Sequence, residues 1–65
     1  METKKPMAQQ YADAMRDGDH ARCIQIEQRQ GLYGWPPEIV SVGLAAIDRG
    51  EDPSDAIDKY MGNDQ

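Results

Sequence analysis

The chain has 65 residues, with seven Lys or Arg against twelve Asp or Glu, a net charge of −5, one Cys, one His and no Phe. So short a chain forms one domain at most and hides only about 60 % of the surface its unfolded form exposes, which excludes a large core. The single Cys23 excludes an internal disulfide, and the excess of acid disfavours direct contact with a nucleic-acid backbone.

Residues 1–5 are polar and are expected to fray ahead of Pro6. From there Met7, Tyr11, Ala14 and Met15 recur at i, i+4, i+7 and i+8, one helical face, so a first helix is predicted over about 6–17 with Gly18 as its stop. Asp19 caps a second helix over about 20–30, where Ala21, Cys23, Ile24 and Ile26 give way to the polar run Glu27 to Gln30. A stiff connector follows, Gly31-Leu32-Tyr33-Gly34-Trp35-Pro36-Pro37, in which two glycines permit unusual backbone angles and two prolines bar helix just upstream. Pro36-Pro37-Glu38 opens a third helix over about 37–49. Its Val40, Gly43, Leu44 and Ile47 stripe is widened by Ile39, Val42, Ala45 and Ala46, as expected of the central helix of a bundle, and Gly43 lets a neighbour approach closely. Gly50 closes it, and Asp52-Pro53-Ser54-Asp55 starts a fourth helix over about 53–61, with residues 62–65 frayed.

The expected architecture is therefore all-α, one small domain over residues 1–65 built of four short helices as two hairpins. Ala14 to Asp19 and Ala46 to Glu51 match in kind at a spacing of 32 residues, since each ends a helix, turns on glycine and starts another. Two such hairpins are too few for a repeat array, so common turn chemistry is the preferred explanation. Tyr33-Gly34-Trp35 with Pro36, Glu38, Leu44, Asp52-Pro53 and Ala56-Ile57 is similar to the last two helices of ubiquitin-associated domains, which follow a Met-Gly-aromatic loop. The resemblance covers residues 33–61, with Tyr33 where the family has Met and a longer turn before Pro53. It implies a three-helix packing and a partner-binding patch around Tyr33, Gly34, Trp35 and the end of the fourth helix.

Catalytic and metal constellations are scarce. Asp17-Gly18-Asp19-His20 gathers two carboxylates and the only His, but no second His, further Cys or calcium loop accompanies it, and a capped helical corner explains it. Ser41 and Ser54 have only His20 as a base, and Cys23 sits on an apolar face. No phosphate-binding loop or dinucleotide fingerprint is present, so the expectation is a protein with no enzymatic activity, catalytic residue, metal or cofactor. No apolar run reaches the roughly 18 residues of a membrane span. With one Cys and no apolar stretch behind Lys4 and Lys5, a cytoplasmic location is expected.

What remains points to binding. A core this small usually needs a staple, here a protein partner or a second copy as a homo-oligomer. Trp and Tyr most often carry interface energy, so Leu32, Tyr33 and Trp35 on the connector and Tyr60 and Met61 at the last helix end are the candidate partner-binding residues. The expected role is a small acidic regulator or inhibitor, in the manner of bacteriophage-type accessory proteins. The alternative gives the acidic surface of Asp48, Glu51, Asp55 and Asp58 the part of a phosphate track that blocks a nucleic-acid-binding protein.

Overall fold

Each helix starts and stops on the punctuation written into the chain. The computed structural model describes residues 5–62, and its helices are α1 (Met7–Arg16), α2 (His20–Arg29), α3 (Pro37–Asp48) and α4 (Pro53–Tyr60), all within one residue of the expected bounds. The fold is all-α, as predicted. Of the expected frayed ends, residues 1–4 and 63–65 lie outside the described residues. Lys5 is tied down, its Nζ donating to Asp13 at 3.0 Å and its carbonyl accepting from Gln10 at 2.8 Å.

Three helices close in the same way. The N–H groups of Asp19, Leu32 and Glu51 return to the carbonyls of Ala14, Glu27 and Ala46 at 2.8, 2.7 and 2.8 Å, each across a glycine, which satisfies carbonyls left open at the helix end. The likeness between residues 14–19 and 46–51 is this closure. Starts differ more. Asp19 and Asp52 accept from the N–H groups of Arg22 and Ser54, but Pro6, ahead of α1, has no side-chain oxygen to offer. Asp48 supplies the cap instead, its two oxygens accepting from the N–H groups of Met7 and Ala8 at 2.9 and 3.0 Å. A carboxylate at the end of α3 thus holds the start of α1.

Packing follows from these ends. α3 lies against both α1 and α4, and α2 lies against α1, so the helices form a row in the order α2, α1, α3, α4. An open row is less compact than a closed bundle. The radius of gyration is 12.0 Å, against about 10–11 Å for a compact chain of this length. The core joins Tyr11, Ala14, Cys23, Leu32, Ile39, Val40, Leu44 and Ile57, with Val40 and Leu44 fully enclosed on the central helix. The three-helix packing implied by the ubiquitin-associated resemblance is replaced by this four-helix row, in which α1 takes one flank of α3. No helix among the described residues is long and apolar enough to cross a membrane.

The connector divides its side chains between inside and outside. Gly31 adopts φ 71° to end α2, and Gly34 adopts φ 102° at the third position of a turn closed by the Trp35 N–H donating to the Leu32 carbonyl. Leu32 before the turn points inward and is only 4 % exposed, with its δ carbons against Gly43. This corrects its assignment as a partner-binding residue: the missing side chain of Gly43 makes the seat into which Leu32 packs. The close neighbours that Gly43 admits are the side chains of Leu32 and Ile57.

Candidate functional site

Four of the five proposed partner-binding residues lie on the surface. Tyr33, Trp35, Tyr60 and Met61 are exposed, as are Met15 and Ile24, which sequence periodicity had placed on core faces. Trp35 is 41 % exposed and takes no place in the core. Several of them lie near the start of α3. Met15 of α1 and Ile24 of α2 share a groove with Pro37, the first residue of α3, while Tyr33 and Trp35 lie four and two residues before Pro37 in the chain. From the other flank, the hydroxyl of Tyr60 in α4 donates to the Glu38 carboxylate, and Met61 follows. Single exposed apolar residues need no explanation, but a contiguous group of them marks an interaction surface.

The groove has definite chemistry. Tyr11 and Cys23 form its buried floor, Met15, Ile24 and Pro37 its apolar walls, and His20 and Glu27 its polar edges. The Tyr11 hydroxyl donates to Glu27 at 2.6 Å. Burial first, and then this bond to a carboxylate, push the Tyr11 ionisation far above its usual range, so the hydroxyl stays a donor. Burial and the nearby charges of Glu27 and Asp19 also push the Cys23 thiol up, which keeps it from the thiolate form that nucleophilic chemistry needs. At the far edge the Tyr60 hydroxyl is likewise raised, mainly by its bond to Glu38.

The other sequence candidates are scattered. His20 is exposed at the first turn of α2, and Asp19 is occupied as its cap. Among the described residues, no group of three or more His, Cys, Asp or Glu is placed to hold a metal ion. The four acidic-surface residues have different surroundings. Asp48 caps α1, Glu51 pairs with Arg49 at 3.1 Å, which lowers its carboxyl below the usual range, and only Glu51 and Asp55 line a common depression, beside Lys59. Asp58 stands apart from that depression, exposed on α4.

Protein-family models, curated proteins and solved structures alike contain no match to this chain.

The candidate surface residues that the sequence did not single out are Met15, Ile24, Glu27 and Glu38. One signal for Ile24 was available. Cys23 and Ile26 both turn towards the core, and Ile24 lies about 100° around the helix from Cys23, so one short face cannot take all three. For Met15 the reason is the open row: α1 is flanked by α2 and α3 and no fourth helix closes over its last turn.

Proposed function

We propose that this protein is a non-enzymatic, cytoplasmic interaction module that regulates or inhibits another protein by docking on it through the apolar end built around the start of α3. The observation that carries this reading is the exposure of Met15, Ile24, Tyr33, Trp35, Tyr60 and Met61 in a chain with so few large apolar residues, with Met15 and Ile24 sharing a groove with Pro37 and Tyr60 bonded to Glu38. Rigidity supports it. Tyr33 and Trp35 stand on a turn fixed by Gly34 and by two prolines, so little conformational freedom is lost when they are covered. The phosphate-mimic reading has weaker support, because Asp48 and Glu51 already serve contacts within the chain.

The test is capture from the native host with tagged wild-type protein and with a Tyr33→Ala/Trp35→Ala variant, read by quantitative mass spectrometry. The expected result is one or a few proteins held by the wild type and lost by the variant, with both forms equally helical. Equal retention of the same proteins by both forms refutes the assignment of the surface.

A further inference from the structure

The α1–α2 hairpin has two unlike faces. On one, Asp13 takes Lys5 and Arg16 at 3.0 Å each, and Arg22 donates to Gln10 at 3.4 Å. Asp17 and Asp19 complete that polar side. The other face is the apolar groove. None of the described Lys or Arg residues lines it: Arg29 lies beside Met7 and Ile26, Arg49 pairs with Glu51, and Lys59 flanks Asp55. Its edges are the imidazole of His20 and the carboxylate of Glu27. The groove therefore offers apolar walls and the Glu27 carboxylate with no Lys or Arg beside it among the described residues.

Size narrows the occupant. The groove encloses about 230 Å³, below the roughly 300–1,000 Å³ typical of small-molecule sites. It suits one large side chain presented by a partner, and a groove walled by residues of two packed helices suits delivery from a third. A second copy of this chain is a poor match in charge, since it brings the same carboxylates and the same net −5.

We infer that this groove receives one large apolar side chain from a cationic amphipathic helix of another protein, with a Lys or Arg one turn from that anchor paired to Glu27. The inference rests on the assignment of the apolar end as a binding surface and adds the chemistry of the partner. The free lone pairs of Glu27, which Tyr11 leaves available, accept from the cation while the apolar walls take the anchor.

The experiment titrates isotopically labelled full-length protein with a synthetic amphipathic helix that carries Leu on one face and Lys on the other, and with a twin in which every Lys is Glu. Amide shifts of Met15, Cys23 and Ile24 report the groove. The Lys peptide is expected to shift them and the Glu twin to bind at least about tenfold more weakly. Glu27→Gln, which retains an acceptor for Tyr11, weakens the Lys peptide by about two- to fivefold, an effect that shrinks in high salt. Met15→Ala weakens it without touching Glu27, and Asp55→Asn, remote from the groove, leaves it unchanged. If Asp55→Asn weakens binding as much as Glu27→Gln, the attraction is general to an acidic protein and the inference fails. Equal shifts with both peptides overturn the cationic partner but leave the surface standing. No groove shifts with either peptide overturn the inference, and capture with the Tyr33/Trp35 variant then judges the surface separately. Concentration-dependent self-association abolished by Ile24→Ala assigns the groove to a second copy and also overturns it.

Discussion

Gly43→Ala has opposite effects on stability depending on what stands at position 32. A Cβ at 43 lies 3.0 and 3.3 Å from the two δ carbons of Leu32 and 3.4 Å from Cδ1 of Ile57. Alanine in a helix interior is favoured over glycine by about 1 kcal/mol, whereas overfilling a packed site costs roughly 1–3 kcal/mol. In the wild type the crowding wins, for a net loss of about 1 kcal/mol, or roughly 4–8 °C in melting temperature for a domain this small. Leu32→Val withdraws both δ carbons and by itself costs about 1–2 kcal/mol. In that background the new methyl meets no crowding and Gly43→Ala stabilises by up to about 1 kcal/mol. The interaction energy between the two positions is then about 1–3 kcal/mol. Urea unfolding of the four proteins, followed by circular dichroism at 222 nm, measures the cycle. If Gly43→Ala shifts both backgrounds by the same amount and in the same direction, Leu32 does not sit on Gly43, and the inward orientation of the connector is wrong.

Other consequences are equally direct. Asp48→Ala removes the cap of α1 and is expected to cost about 1–2 kcal/mol, with Asp48→Asn milder because an amide oxygen still accepts; a melt no lower than that of Asp58→Ala would refute the long-range cap. In the folded chain Tyr11 keeps its proton well above the usual tyrosine pKa of about 10, because burial and Glu27 favour the neutral hydroxyl. Its contribution to stability is complete below that value and is lost as pH rises towards the folded pKa, since the unfolded state gives up the proton first. Helicity should therefore fall above about pH 10 in the wild type and less steeply in Tyr11→Phe, and parallel curves would contradict the assignment. Trp35, partly open to solvent, should be quenched readily by acrylamide in the folded monomer, and protection equal to that of a buried indole would place it in the core instead.

The helices were legible because their signals are local. Gly18, Gly31 and Gly50 stop helices, Asp19, Asp52, Pro53 and the Pro36-Pro37 pair start them, and each acts within one turn of chain. The cap of α1 was not legible, since its acceptor stands 41 residues from Met7 and nothing near Pro6 announces it. Leu32 shared the apolar character of Tyr33 and Trp35, and only the turn geometry at Gly34 separates the inward residue from the outward ones. Met15 and Ile24 fit an apolar periodicity and still lie outside, because four helices in a row leave faces uncovered that a closed bundle would bury. The same openness explains why aromatic positions near the connector and α4 could be proposed from composition while the groove of α1 and α2 could not.

The central claim is that the apolar end, and not the acidic stretch, makes the contact with a partner. Its most direct measurement is the affinity of the captured and purified partner for Trp35→Ala and for Asp55→Lys/Asp58→Lys, side by side at physiological salt. An interface anchored on Trp35 predicts a loss of about 2 kcal/mol or more, some thirtyfold, for the tryptophan variant and a small change for the charge reversal. Loss of binding on charge reversal, with Trp35→Ala near wild type, would contradict the account and favour a phosphate mimic.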